Sequence, residues 1–402
     1  MRKLIVLAAA TLALCGCGVN GQPANAPAAP SATTAPSSTA PVASSPVWLD
    51  DLQMVSAQVG WALAWNADPS GTESVPLELV RTTDGARDWQ RVTLPGHSAL
   101  TPGSVVLDAI SAQQAWLAVG LGKNDNPTSG TTTVYRTTDG GLDWSAGAPL
   151  SGSAPAEIDF IGSDGWLLED LGAAMQQQAS TLWRTVNAGA TWSLAAKTPP
   201  IGQPPSAAAA LPTTCDKNGL AFASAQLGWI TSFCNVLSGA ILVTRDGGAH
   251  WATQPVPLPG LLCQRGGCEV YAPQFAGSAT FLQVDAYPSA GYLLVSENSG
   301  RTWTTLRMPA GAGPYPRIRF FSATDAIAVS AGPQGAIGPD FYLTADGGRT
   351  WTAVPQGRRF GASASFDFVT PALGFAWTSE GQQLFATSDS GRTWTALTQQ
   401  PS

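Results

Sequence analysis

From residue 47 onward, short apolar-rich runs recur between polar turns. Runs of this kind include Leu77–Val80, Ile241–Val243, Tyr292–Val295 and Phe341–Leu343, and each stands shortly before a turn that ends in tryptophan. Short apolar-rich segments bounded by glycine- and aspartate-rich turns are typical of β-strands. The pattern therefore predicts many short strands and no long surface helices.

The turn itself recurs seven times as Ser/Thr-x-Asp/Asn-x-Gly/Ala-x-polar-Trp. Its carboxamide or carboxylate positions are Asp84, Asp139, Asn187, Asp246, Asn298, Asp346 and Asp389. Its tryptophans are Trp89, Trp144, Trp192, Trp251, Trp303, Trp351 and Trp394. An Asp or Asn side chain can accept backbone N–H groups of its own turn, and glycine permits positive φ. We expect each turn to join two strands and each indole ring to pack in the interior.

A second pattern precedes each turn, in which a strand and a polar turn lead to Gly-Trp or a related pair. The large residues at this position are Trp61, Trp116, Trp166, Trp229, Phe281, Ile327 and Phe375. Because chemically different residues occupy it, the position is a packing preference. The turn tryptophans recur every 43 to 59 residues, the length of a four-stranded blade. The sequence predicts an all-β fold, a seven-bladed β-propeller of four-stranded antiparallel blades over residues 47–402.

The N-terminus carries targeting signals. Arg2 and Lys3 precede an apolar run, Leu4–Leu14, that is too short for a comfortable membrane span. Cys17 follows a small residue, as in a lipoprotein cleavage box, so residues 1–17 are predicted to be a lipoprotein signal peptide with lipidation at Cys17. An ordinary secreted protein is the alternative. Residues 18–46 hold no charged or aromatic residue, which predicts a disordered linker. We expect a lipid-anchored protein on the extracytoplasmic face of the cell membrane.

Four of the six cysteines follow the linker and would lie in an oxidising compartment after export. Three pairings are possible, and the short loops favour Cys215 with Cys234 and Cys263 with Cys268. A zinc site is the rival interpretation, but standard ligand spacings are missing and only His97 and His250 are present. The expectation is no metal and no cofactor.

Charge excludes one class of partner. The formal net charge is -7, the isoelectric point is near 4.8, and only 12% of the residues are charged. Such a chain repels phosphate backbones, and we find no basic patch strong enough to reverse this. We expect a monomer that does not bind nucleic acid.

Aligning the first strand of each blade places polar residues in one register. The residues at this position are Gln53, Asp108, Asp159, Ala221, Gln274, Arg319 and Asp367. The first strand of a blade lines the central channel, so we expect a polar ring there and predict that Arg319 pairs with Asp367. The alternative to a ligand site is a buried polar layer that satisfies its own hydrogen bonds.

Arginines are concentrated in one stretch of the sequence, at Arg317, Arg319, Arg358 and Arg359. Guanidinium groups bind carboxylates with two parallel hydrogen bonds, so together with Asp367 they form a candidate binding site. Solvated loop arginines are the alternative.

The repeated turn resembles the Asp box, or bacterial neuraminidase repeat. The chain is most similar to the photosystem II stability and assembly factor family, whose repeats likewise run from Gly-Trp to a Thr-x-Asp-Gly-Gly-x-Thr-Trp box, as Gly228-Trp229 and Thr244–Trp251 do here. The resemblance implies a non-enzymatic propeller with an arginine-bearing face that binds a membrane protein. A protein-binding or assembly scaffold is therefore the first hypothesis, and a glycan is the other partner considered.

A glycoside hydrolase is the alternative function. Sialidases of this fold need an N-terminal Phe-Arg-Ile-Pro-like segment. Pro316-Arg317-Ile318-Arg319 resembles that segment only weakly. Polysaccharide-cleaving Asp-box propellers need two opposed carboxylates, for which Asp108, Asp159 and Asp367 can be nominated. Nothing in the sequence selects them.

Overall fold

The computed structural model describes most of the chain from residue 47. The described residues are 47–66, 77–96, 100, 105–123, 126–174, 177–199, 211–234, 240–258, 267–286, 290–309, 312, 316–330, 340–361, 364–378 and 383–397. The predicted signal peptide, Cys17 and the linker lie outside them. Within them, no helix has the length and apolar character needed to cross a membrane.

The strands of the first three blades follow one another along the chain. Blade 1 contains β1 Val47–Met54, β2 Gly60–Asn66, β3 Leu77–Thr82 and β4 Gln90–Val92. Blade 2 contains β5 Val105–Ala109, β6 Ala115–Lys123, β7 Asn126–Thr137, β8 Ser145–Ala146 and β9 Leu150–Ser151. Blade 3 contains β10 Pro155–Ile161, β11 Asp164–Ala174, β12 Gln177–Thr185 and β13 Ser193–Lys197.

Four more blades complete the described chain. Blade 4 contains β14 Asp216–Phe222, β15 Gly228–Cys234, β16 Ala240–Thr244 and β17 Ala252–Pro255. Blade 5 contains β18 Cys268–Val270, β19 Gln274–Ala276, β20 Ala279–Ala286, β21 Ala290–Ser296 and β22 Thr304–Arg307. Blade 6 contains β23 Arg317–Phe320, β24 Ala326–Ser330, β25 Asp340–Thr344 and β26 Thr352–Val354. Blade 7 contains β27 Ser365–Phe368, β28 Gly374–Thr378, β29 Gln383–Thr387 and β30 Thr395–Leu397.

The strand pairing confirms the predicted all-β propeller and adds detail to it. Blades 1, 3, 6 and 7 are four-stranded antiparallel sheets, and blade 2 has a fifth strand, β9, which pairs with β7. Blades 4 and 5 form one nine-stranded sheet, because β18 pairs with both β15 and β20. The inner strand of blade 5 is split into β18 and β19. Seven blades are thus present, although two of them share a sheet.

Each Asp box is held by the same hydrogen bonds in all seven blades. In blade 6, the Thr344 hydroxyl donates to Asp346 Oδ1 at 2.8 Å, and Asp346 Oδ1 also accepts the N–H of Thr350 at 2.9 Å. The Gly348 N–H donates to the Thr344 hydroxyl at 3.0 Å. Gly347 has a φ of 74° and donates its N–H to the carbonyl of Thr324 in the preceding hairpin turn. The box therefore fixes its own turn, as predicted, and in blade 6 it also ties the β25–β26 hairpin to the β23–β24 hairpin.

Aromatic side chains fill the spaces between blades. The residues at the Gly-Trp position are all buried, and several of them stack on the next blade, as Trp166 does on Phe222 with ring centroids 3.5 Å apart. The box tryptophans also pack between blades, as Trp144 of blade 2 does against Trp61 of blade 1 with ring centroids 5.9 Å apart. Both faces of each sheet are buried against neighbouring blades, and the side chains on these faces supply most of the core.

The ring closes by packing. Blades 1 and 7 share a buried cluster that contains Leu52, Met54, Phe375 and Leu397. Both end blades are built from consecutive strands, however, so neither borrows a strand from the other end of the described chain. Side-chain contacts across this junction therefore carry the closure.

The cysteines lie where blades 4 and 5 join. Cys215 and Cys268 each take part in a disulfide bond, and Cys268 stands opposite Cys234 in the pairing of β18 with β15. The side chain of Cys234 and the whole of Cys263 lie outside the described part. The predicted pairing of Cys215 with Cys234 and of Cys263 with Cys268 therefore stays a prediction.

Candidate binding site

The polar ring predicted for the inner strands exists, and its side chains hold adjacent blades together. Gln53 of blade 1 accepts the N–H of Ala109 at 3.0 Å and donates to the carbonyl of Leu107 at 2.8 Å, both in blade 2. Gln274 of blade 5 accepts the N–H of Phe320 at 2.9 Å in the same way. An amide side chain thus links the first strands of two adjacent blades by hydrogen bonds to the backbone.

The three aspartates of the ring do the same with a single acceptor oxygen. Asp108 accepts the N–H of Phe160 at 3.1 Å, and Asp159 accepts the N–H of Phe222 at 2.7 Å. Asp367 accepts the N–H of Met54 at 2.7 Å, across the closure of the ring. Buried backbone N–H groups need such acceptors, because an unsatisfied one costs about 1–3 kcal/mol. These residues therefore match the alternative expectation, a buried polar layer that satisfies its own hydrogen bonds.

Ala221 has no polar side chain, and the junction it faces is built differently. Blades 4 and 5 are joined there by backbone pairing, with Phe233 opposite Glu269 and Cys234 opposite Cys268. Direct pairing of strands replaces the side-chain contact that the other junctions use.

Arg319 and Asp367 pair, as predicted from their register. Nη1 of Arg319 lies 3.4 Å from Oδ1 of Asp367, and the two side chains are 21% and 8% exposed. Burial lowers the pKa of Arg319, and the charge of Asp367 opposes this effect. Nε of Arg319 is buried and has no acceptor within the described ranges. The Nε–H of Arg319 is therefore an unsatisfied donor within the described ranges.

A cavity of about 300 Å³ opens beside this pair at the inner edge of the ring. Blades 1, 5, 6 and 7 all contribute to its lining. The polar lining residues are Asp51, Gln53, Gln274, Arg317, Arg319 and Asp367. The apolar lining residues are Leu52, Ile318, Ile327, Val329, Phe366, Phe368 and Trp377. A concave, mostly apolar wall with a few converging polar groups is the usual form of a small-ligand or peptide site.

Arg317 lies at the entrance of the cavity. Its side chain is exposed, and its guanidinium carbon lies 4.5 Å from the centroid of the Tyr271 ring. The Tyr271 hydroxyl donates to Asp285 at 2.8 Å. Burial raises the pKa of Asp285 to about 6, and the hydrogen bonds from Tyr271 and Gln283 partly offset this rise. A buried acidic residue thus lies beneath the ring on which Arg317 rests.

The other two predicted arginines have partners outside the cavity. Arg358 stacks on Phe385, with 4.0 Å between the guanidinium carbon and the ring centroid. Arg359 forms an ion pair with Asp340 at 2.9 Å. Of the four arginines in the candidate site, the cavity therefore takes only Arg317 and Arg319.

The structure also shows site residues that the sequence did not single out. Trp377 and Phe366 form an aromatic part of the cavity wall, and Asp51 adopts a positive φ of 46° at a bulge in β1. Elsewhere, Glu169 is fully buried between blades 2 and 3 and accepts hydrogen bonds from Thr132 and Trp183 at 2.7 Å each. No repeat or motif marks these positions, because their role depends on which blades the fold brings together.

The carboxylates nominated for glycoside hydrolysis have structural roles. Asp108, Asp159 and Asp367 each accept a backbone N–H from the next blade, and they belong to three different junctions. His250 is exposed and pairs with Asp246 of its own Asp box at 2.7 Å. Across the described ranges, no three Cys, His, Asp or Glu side chains are grouped so that they could hold a metal ion.

The fold and the site define a class, a seven-bladed Asp-box β-propeller with an arginine-lined cavity at its inner edge. No family model matches the chain, and no curated protein does. Solved structures do. The chain is similar to YCF48 bound to a D1 peptide, at 17% identity over 86% of this chain and 91% of that one, with a TM-score of 0.50.

Two other solved structures are similar to a comparable degree. One is an ulvan lyase of polysaccharide lyase family PL25 bound to a GlcA-Rha3S saccharide, at 9% identity over 88% and 98% of the two chains, with a TM-score of 0.53. The other is the β-propeller domain of the trilobed protease from Pyrococcus furiosus, at 8% identity over 87% and 97%, with a TM-score of 0.50. At these identities the likeness establishes the fold alone.

Proposed function

We propose that the protein is an extracytoplasmic, membrane-tethered lipoprotein whose propeller binds a partner protein or helps to assemble it. The cavity that opens beside Arg317 carries the proposal. It offers an exposed guanidinium at its entrance and an apolar wall with Phe366 and Trp377 behind it. Such a surface fits an acidic and partly apolar polypeptide segment.

Two further points support partner binding over catalysis. The nominated catalytic carboxylates hold blades together, and a propeller of this fold, YCF48, has been solved with a D1 peptide bound. The hydrolase alternative has no observation in its favour among the described residues, so it is not proposed.

Membrane attachment is the part of the proposal that rests on sequence. The short apolar run before Cys17 and the uncharged stretch 18–46 fit a lipidated cysteine followed by a spacer. Changing Cys17→Ser should move the protein from the membrane fraction to the soluble extracytoplasmic fraction. Membrane retention of that variant would argue against the anchor.

The binding proposal is tested by recovering partners from membranes with the full-length lipidated protein. We expect Arg317→Glu to lower the yield of a defined partner at least about tenfold, because a charge reversal at a binding surface replaces attraction with repulsion. Arg359→Glu is the matched control, because Arg359 pairs with Asp340 outside the cavity. Equal yields from both variants, or hydrolysis of a glycan by the purified protein, would contradict the proposal.

A further inference from the structure

The inner ring follows one rule at most of its junctions. The polar side chain of one blade accepts a backbone N–H from the first strand of the next blade. The donor is the residue that directly follows the corresponding ring position in that strand. The N–H groups held in this way are those of Met54, Ala109, Phe160, Phe222 and Phe320. Each of the five first strands that contain these residues thus gains, from the neighbouring blade, a side-chain acceptor for one backbone N–H.

The junction between blades 6 and 7 reverses this rule. By position, the corresponding donor in blade 7 is the N–H of Phe368, and the residue that faces it from blade 6 is Arg319. A guanidinium has five donors and no acceptor, so it cannot satisfy that N–H. The junction therefore presents donors from both blades.

Arg319 has donor capacity to spare at this point. Its Nη1 contacts Asp367 at 3.4 Å, a long hydrogen bond, and its buried Nε has no acceptor among the described residues. Leaving such donors buried costs free energy. The Arg319 side chain is 21% exposed, so its terminal N–H groups can reach a ligand in the cavity, and a carboxylate can accept them with its two oxygens.

The adjoining cavity indicates what the rest of the ligand looks like. Ile327, Val329, Phe366 and Trp377 form an apolar wall next to Arg319. A volume of about 300 Å³ is at the lower end of small-molecule sites. Asp51 and Asp367 also face the cavity, so two negative charges balance the two arginines and favour a singly charged ligand over a phosphate dianion.

We propose that this cavity binds a small free carboxylic acid with an aromatic or aliphatic body, the carboxylate on Arg319 and the body against Phe366 and Trp377. The free acid and the partner protein use different arginines of one cavity, because the acid contacts the buried Arg319 and the partner contacts the exposed Arg317. Both lie against Phe366 and Trp377, so we expect them to compete. It goes beyond the proposed function and does not depend on it.

The test is isothermal titration of the full-length protein in detergent with benzoate, using benzamide as the neutral matched ligand. We expect benzoate to bind with one-to-one stoichiometry and benzamide to bind at least about tenfold more weakly, because only the carboxylate pairs with a charged donor. Equal affinities, or no benzoate binding up to millimolar concentrations, would overturn the proposal.

Two variants locate the site. Arg319→Gln should weaken benzoate binding at least about tenfold, but it also removes the partner of Asp367 and can impair folding. Val329→Trp fills the cavity and keeps the Arg319–Asp367 pair, so it should abolish binding. Arg359→Gln, outside the cavity, should bind benzoate as the wild type does. A folded Val329→Trp variant with wild-type benzoate affinity would refute the site while leaving the partner-binding proposal standing.

Discussion

The Asp367 carboxylate accepts the backbone N–H of Met54 at 2.7 Å, and this buried bond joins the last blade to the first. The same carboxylate contacts Arg319 of blade 6. Three blades thus meet at one side chain. Since neither end blade borrows a strand from the other, this contact and the apolar cluster beside it hold the ring closed.

Removing this carboxylate should destabilise the ring. Asp367→Ala leaves the Met54 N–H and the Arg319 guanidinium buried without their partner, which should lower the free energy of unfolding by about 2–4 kcal/mol. Equilibrium denaturation in urea measures the loss. Asp340→Ala is the control, because it breaks an exposed ion pair worth at most about 1 kcal/mol. Equal losses in the two variants would contradict the role of Asp367 in closure.

The Asp boxes should contribute an acid-sensitive part of the stability. Hydrogen bonds from the Thr350 hydroxyl, the Thr350 N–H and the Thr344 hydroxyl lower the pKa of Asp346 to about 2. The folded pKa lies below the unfolded value of about 4, so this contribution is present above pH 4 and is lost as the pH falls towards 2.

Asparagine should serve equally well at that position at neutral pH. Asn187 and Asn298 already occupy it in blades 3 and 5, where they accept the same N–H bonds from Thr191 and Thr302. Asp346→Asn should keep the thermal midpoint at pH 7 and reduce the fall in midpoint between pH 4 and pH 2. A loss at pH 7 as large as that of Asp346→Ala would show that the charge itself is required.

Asp285 should make the stability of the fold depend on pH with the opposite sign and in a different pH range. Burial raises its folded pKa to about 6, above the unfolded value of about 4. Its protonation therefore adds stability that is fully present below pH 4 and is lost as the pH rises through 6. Thermal midpoints of Asp285→Asn should vary less than those of the wild type between pH 4 and pH 7. Asp346→Asn should leave this range unchanged, and an identical profile for Asp285→Asn and wild type would contradict the assignment.

The Gly-Trp position allows a matched test of a single buried hydrogen bond. Trp166 Nε1 donates to the carbonyl of Gly247 at 3.0 Å, whereas Nε1 of the equally buried Trp229 has no acceptor within the described part. Trp166→Phe should therefore cost about 1 kcal/mol more than Trp229→Phe in chemical denaturation. If Trp229→Phe costs as much or more, packing alone determines both losses.

The repeat made most of the fold predictable. Seven boxes and seven Gly-Trp positions fixed the number of blades, the hairpin each box closes and the register of the inner strands. That register placed Arg319 opposite Asp367 correctly, because residues at one position of adjacent blades become neighbours when the ring forms. Predictions that followed from one repeat and its neighbour were therefore confirmed.

What the repeat could not predict are the departures from it. The shared sheet of blades 4 and 5 arises where the inner strand of blade 5 splits and β18 reaches β15, a local event without a sequence signature. The sequence grouped four arginines, but Arg358 and Arg359 lie on the connection between blades 6 and 7 and find nearer partners. Phe366 and Trp377 belong to the cavity only through the way blade 7 packs on blade 6.

Site-specific photocrosslinking in membranes tests the central claim, that a partner protein docks where Arg317 lies. Arg317 pairs with Val329 at the open end of the β23–β24 hairpin, whereas the Asp boxes lie at the turn end. Leu142 in the box of blade 2 is 85% exposed, so positions 317 and 142 report on opposite faces of the propeller. A photoreactive residue in place of Trp377, in the wall of the cavity beside Arg317, should crosslink to a defined protein, and one in place of Leu142 should not. Crosslinking from position 142 with none from position 377 would contradict the account.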